Sequence, residues 1–130
     1  MSTLRTPAAG LLAAALTLPA TAMAAPSPVG RWMTAERGGV VEVFACGAAL
    51  CGRIAGSPEL DAHPDRRDVN NPDPGLRKRP LQGLLMLRDL KQAASGRWTG
   101  GQIYDPKTGK TFDSKVSANP NGTIKVEGCI

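Results

Sequence analysis

The chain has 130 residues, with 16 basic against 11 acidic side chains and a formal net charge of +5, and its aromatic content is two Trp, one Tyr and two Phe. That length supports one small domain. So few aromatic rings leave little for bases to stack on, which sets nucleic-acid binding aside, and the modest positive charge serves solubility before any specific anionic partner.

Residues 1–24 have the build of a secretory signal peptide. Arg5 supplies the positive start, Ala8–Leu18 the apolar run, and Ala22-Met23-Ala24 the small-x-small cleavage pattern. A membrane-spanning reading fails, because a span needs about 20 apolar residues and Pro19 interrupts this one. The first cysteine is Cys46, so no lipoprotein anchor follows the cleavage point. Removing Arg5 with the leader lowers the formal charge from +5 to +4. The expectation is an exported protein, periplasmic or secreted, with residues 25–130 as its single domain.

Within that domain the chain enters as an extended Pro-Ser-Pro-Val-Gly segment, and Arg31–Ala35 forms a first strand carrying Trp32. Gly38–Ile54 is patterned as a hairpin: Val40, Val41, Val43 and Phe44 outward, Leu50–Ile54 back. Cys46 and Cys51 flank its turn. In an oxidising compartment they pair as a disulfide. The alternative, a redox or zinc role, lacks a C-x-x-C spacing and has a single histidine to draw on. Cys129 is left over, as a free thiol or an intermolecular bridge.

Ser57–Pro80 is rich in proline and charge and shows no apolar periodicity, so an irregular loop is expected, of a length that often borders a site. Asp68–Asp73 has a superficial likeness to a calcium loop. It lacks glycine at the sixth position and has Arg79 where a bidentate glutamate belongs, and Asx turns account for it better. His63 stands between Ala62 and Pro64 with no nucleophile suggested beside it, and is expected to be exposed and idle. Arg77, Lys78 and Arg79 form a basic patch that could meet phosphate or headgroups.

In Leu81–Leu90 the leucines at 84, 87 and 90 keep a helical step, yet the short run beyond Gly83 suits a buried strand. A strand over Gly83–Leu87 with a turn around Arg88–Gly96 is expected. The most specific signal follows in Trp98–Phe112. Strand-forming residues flank Asp105-Pro106-Lys107-Thr108-Gly109, where Asp105 can accept a backbone hydrogen bond, Pro106 pre-sets φ and Gly109 takes the left-handed conformation. Gly100-Gly101 inside the first of these strands marks a bulge. Asn119-Pro120-Asn121-Gly122 then turns Thr111–Ser117 into Thr123–Glu127. About seven short strands and no helix result: an all-β antiparallel meander curled into a small barrel.

Several of these segments together resemble an exported bacterial family known as domain of unknown function 2147. They are Gly30-x-Trp32, the Cys46-to-Gly52 hairpin, Asn71-Pro72 leading to Arg79-Pro80-Leu81-x-Gly83, and Trp98-x-Gly100-Gly101-x-Ile103-Tyr104-Asp105-Pro106-x-x-Gly109-Lys110. The likeness covers nearly the whole mature chain. It implies a lipocalin-like β-barrel in the periplasm or outside the cell, of unestablished role, and carries over no catalytic residue. Family members continue past the Gly-Cys position to another Cys and a final strand, whereas this chain stops at Ile130. The resemblance therefore implies an incomplete barrel lacking the C-terminal end, and dimerisation through Cys129 or an open edge.

Three functions are compatible with such a domain. A barrel binding a small apolar or amphipathic ligand would line its interior with Trp32, Trp98, Tyr104 and Phe112, residues that plain core packing also explains. An envelope-associated interaction module, binding proteins or anionic surfaces, would use the basic patch. An enzyme finds no catalytic motif here, although an Asp68–Asp105 carboxylate pair is invisible to sequence spacing. No metal or cofactor is expected.

Overall fold

The Asp-Pro-Lys-Thr-Gly turn forms as its residues dictate. Gly109, at φ 75°, donates its N–H to the Asp105 carbonyl at 2.8 Å, and Oδ1 of Asp105 accepts from the Lys107 N–H at 2.9 Å. The computed structural model in which this is seen describes residues 27–34 and 38–129. The expected leader, residues 1–24, and the expected strand end at Ala35 lie outside the described residues.

Among the described residues seven strands follow one another: β1 (Gly30–Met33), β2 (Val40–Cys46), β3 (Ala49–Gly56), β4 (Leu85–Ala94), β5 (Arg97–Asp105), β6 (Lys110–Ala118) and β7 (Ile124–Cys129). Each pairs antiparallel with the next, in the spatial order β1 to β7, so the sheet is a curled half-barrel with β1 and β7 as its edges. The all-β meander expected from the sequence is what forms. The disulfide forms as well: Cys46 and Cys51 are bonded across the β2–β3 turn, with Cα atoms 5.9 Å apart, and Cys129 is free.

One row of partners runs across the sheet from Val43 through Gly52, Leu87 and Ile103 to Phe112. A second links Trp98, Val116 and Val126. These rows make the apolar face, where Leu87, Leu90, Trp98 and Val116 form the core and Val41, Leu50 and Ile103 pack against it. Each such buried side chain contributes roughly 1.5–3 kcal/mol relative to exposure.

Two expectations are corrected here. First, β4 starts at Leu85 and runs to Ala94, where a turn was expected from Arg88 onward. Leu50 and Gly52 of β3 oppose Leu90 and Leu87 of β4, so two steps meet three, and Asp89 sits in the bulge at φ 59°. The extra residue lets Leu87 and Leu90 both point inward, three positions apart, which is why the leucines imitate a helix. In β5 the bulge at Gly100 lies opposite, between Trp98 and Gly101. A Cβ on Gly101 would stand 2.5 Å from the Arg88 carbonyl oxygen, so this crossing of two bulged strands admits only glycine.

Second, the loop after β3 is not structureless. Ser57 caps a short helix α1 (Pro58–Ala62) by accepting the Leu60 N–H at 3.1 Å, and a 3₁₀ turn occupies Pro74–Leu76. Proline at the first helical position after a serine is a helix start signal that the surrounding charges obscured. His63, just past α1, is exposed.

Candidate functional site

The loop closes on itself through an antiparallel bridge between Arg67 and Pro80, and this neck presents Asp68 to the sheet. Asp68 is wholly buried. Its carboxylate accepts three hydrogen bonds: from the Tyr104 hydroxyl at 2.6 Å on Oδ1, and from Asn71 Nδ2 and Arg79 Nε, both at 2.9 Å, on Oδ2. The Arg79 guanidinium also lies 5.6 Å from the centre of the Tyr104 ring. Burial alone would raise the Asp68 pKa, but the three hydrogen bonds and the Arg79 charge outweigh it and hold the carboxyl below its ordinary value. Burial and the neighbouring carboxylate push the Tyr104 phenol up. At neutral pH the pair is therefore an ionised carboxylate accepting a hydrogen bond from a neutral phenol.

A second fastening joins the loop to the tip of the β5–β6 hairpin. Asn70 Nδ2 donates to the carbonyls of Pro106 and Lys107, each at 3.1 Å. Gly109 lies so close to the Asn70 carbonyl that any Cβ there would overlap it. The Asx turns expected in the loop are present: Asn71 Oδ1 accepts from the Asp73 N–H at 2.8 Å, and Asp73 Oδ1 from the Gly75 N–H at 2.9 Å.

Around this clamp the surface is concave in three places. Between the loop and the sheet lies a cleft of about 280 Å³ lined by Asn71, Leu76, Arg79, Leu85, Arg88, Gln102 and Tyr104 among others. At the mouth of the half-barrel a cleft of about 420 Å³ is formed by Met86, Ile103, Tyr104, Pro106, Phe112 and neighbours. A wider one of about 660 Å³ adjoins it, bounded by Val41, Ile54, Pro58 and Pro106. Met86 belongs to all three, and Tyr104 to the first two.

The side chains singled out from sequence are distributed unevenly over this surface. Tyr104 and Phe112 line the mouth. Trp98 is buried in the core, and half-buried Trp32 donates its indole N–H to the Pro28 carbonyl at 2.7 Å. Of the basic run, Arg77 donates Nε to the Asn71 carbonyl at 2.7 Å and Arg79 serves Asp68, so two of the three cations brace the loop. Asp105 is not a partner of Asp68: its carboxylate serves its own turn, accepting from the Lys107 N–H and the Thr108 hydroxyl. Sequence reasoning passed over Asn71, Met86, Arg88 and Gln102. A signal existed only for Asn71, within the Asn-Pro motif.

An antiparallel meander, apolar within and cleft at its open end, defines a lipocalin-like β-barrel protein. The solved structure of protein HP1028 from the human pathogen Helicobacter pylori, described as belonging to the lipocalin family, is similar to this chain: 27% identical, with a TM-score of 0.71, over 78% of this chain and 70% of that one. No curated protein matches the chain. Residues 30–130 match the family described as "Uncharacterized protein conserved in bacteria (DUF2147)", and the chain belongs to that family.

Proposed function

We propose that this protein binds a small apolar or amphipathic molecule at the mouth of its half-barrel, and that it does so after export to the periplasm or beyond. The observation that carries the reading is the pair of clefts meeting at Met86 and Pro106, of about 420 and 660 Å³. Ligand sites commonly occupy roughly 300–1,000 Å³ and sit in the mouths of β-barrels. The lipocalin-like neighbour supports the reading by analogy of fold. The Cys46–Cys51 bond supports the export half, since such bonds persist in oxidising compartments. An interaction module built on Arg77, Lys78 and Arg79 ranks second, because two of those cations already hold the loop. Dimerisation through Cys129 or the β7 edge stays within the proposal, and sedimentation of the oxidised protein tests it.

The binding test uses the oxidised mature protein and N-phenyl-1-naphthylamine, an uncharged probe that fluoresces on leaving water. Saturable enhancement is expected, with affinity falling about tenfold in Phe112→Ala as an aromatic wall is lost. Binding that never saturates, or a folded Phe112→Ala variant with unchanged affinity, refutes the mouth as the site. Export is tested by the intact mass of the protein recovered from the cell envelope: a chain beginning at Ala25 supports it, and a chain retaining Arg5 sinks it.

A further inference from the structure

The cleft between the loop and the sheet differs in chemistry from the mouth. Its lining holds two guanidiniums, Arg79 and Arg88, and no carboxylate. Asp68 beneath compensates Arg79 through Nε, and the two terminal nitrogens of Arg79 carry no hydrogen bond among the described residues. Arg88 is held by a neutral partner. Its Nε and one terminal nitrogen donate to Gln102 Oε1 at 3.1 and 2.7 Å, which orients the guanidinium, and among the described residues no carboxylate pairs with it. Tyr104, whose hydroxyl is committed to Asp68, fixes the floor.

Beside these cations stand two large apolar side chains in water. Leu76 is 40% exposed and Leu85 44%, and both line the same cleft. An exposed leucine alone means little, but two of them next to a guanidinium pair make an amphipathic surface. At about 280 Å³ the space lies just below the usual range of ligand sites, which limits it to a small ligand. We propose that this cleft is a second binding site, taking a small organic carboxylate whose head meets Arg88 and the terminal nitrogens of Arg79 and whose short aliphatic tail covers Leu76 and Leu85. Guanidinium groups bind planar carboxylates through paired N–H donors, which suits this head group and gives the site its preference over an alcohol of equal length.

The proposal does not depend on the mouth as a ligand site, and the test separates the two. Hexanoate, hexan-1-ol and inorganic phosphate are titrated into the oxidised mature protein by calorimetry at low salt, with Arg88→Gln and Phe112→Ala alongside the parent. Hexanoate is expected to bind saturably and at least tenfold more tightly than hexan-1-ol or phosphate. In Arg88→Gln that affinity falls at least tenfold, in Phe112→Ala it is unchanged, and added salt weakens it. Arg88 is exposed, and matching circular dichroism and melting of the variant establish that its fold is intact. In Phe112→Ala, where binding at the mouth is impaired, equal affinity for hexanoate and hexan-1-ol overturns the proposal, as does tighter binding of phosphate, or a folded Arg88→Gln variant that binds hexanoate as the parent does.

Discussion

The Tyr104 hydroxyl donates a 2.6 Å hydrogen bond to the buried carboxylate of Asp68, 36 positions earlier in the chain. That bond ties the neck of the 57–80 loop to β5, and so fixes the wall that the loop contributes to the cleft. A hydrogen bond to a charged group contributes roughly 1.5–3 kcal/mol. Tyr104→Phe keeps the ring under Arg79 and removes only the donor, so a loss of about 2 kcal/mol is expected in urea unfolding. Asp68→Asn strips the charge from all three donors and costs at least as much. Because the two residues share one bond, their double-mutant cycle is expected to show coupling of about 1 kcal/mol or more. Additive losses would mean that the bond contributes nothing.

The same cluster sets a pH dependence. The folded-state pKa of Asp68 lies below its ordinary value, because its hydrogen bonds and Arg79 outweigh the opposing effect of burial. Its stabilisation is therefore fully present above the unfolded-state value of about 4 and is lost as pH falls through the lower folded-state value. The sign reverses for Tyr104: with its pKa raised, its contribution is present below about 10 and is lost as pH rises through the folded-state value. Melting temperatures taken from pH 2 to 7 should fall more steeply on the acid side for the parent than for Asp68→Asn. Identical acid slopes would show that other carboxylates govern acid unfolding.

Gly109 and Gly122 both have positive φ, at 75° and 84°, but only Gly109 faces an obstacle, the Asn70 carbonyl. Alanine at Gly122 meets open space and carries only the left-handed backbone term, about 1–2 kcal/mol. Alanine at Gly109 carries that term and must also push the loop off the hairpin. Gly109→Ala is expected to lower the melting temperature clearly further than Gly122→Ala, and to weaken hexanoate binding as the cleft wall shifts. Equal melting temperatures for the two variants would show that the loop–hairpin contact is slack.

The contrast between local and distant partners also explains what the sequence made legible. Asp105, Pro106 and Gly109 specify a turn among themselves, so the central hairpin can be read from five adjacent residues. Cys46 and Cys51 are likewise near neighbours, and their pairing follows from the hairpin they flank. Asp68 is different. Its donors lie 3, 11 and 36 positions away, and no spacing rule connects them before the loop is folded back. Arg88 and Gln102 meet because β4 and β5 are paired in register there, while the bulges at Asp89 and Gly100 are taken up against β3 and β6. Those bulges also hid the second half of β4, since Leu87 and Leu90 break the two-residue alternation by which a strand is recognised. The clefts were illegible for the same reason: Met86 joins them through its position at the rim rather than through any motif.

The Cys46–Cys51 bond closes a loop with a sequence separation of 5, short enough that the chain-entropy model credits it with only about 2 kcal/mol. In a domain of this size that corresponds to roughly 10 °C of melting temperature. Cys51 is buried, at 6% exposure, and pairs with Phe44 across β2 and β3, so the bond fixes the closed end of the first hairpin while its open end bounds the wider mouth cleft. Reduction is expected to lower the melting temperature of the parent by that amount and to leave Cys46→Ala/Cys51→Ala unchanged. Thiol titration in denaturant should count one reactive group before reduction, Cys129, and all three cysteines of the chain after it. Three thiols before reduction would show that the bond is absent from the isolated protein. None would show Cys129 itself in a bond, and would direct attention to the β7 edge as a contact between chains.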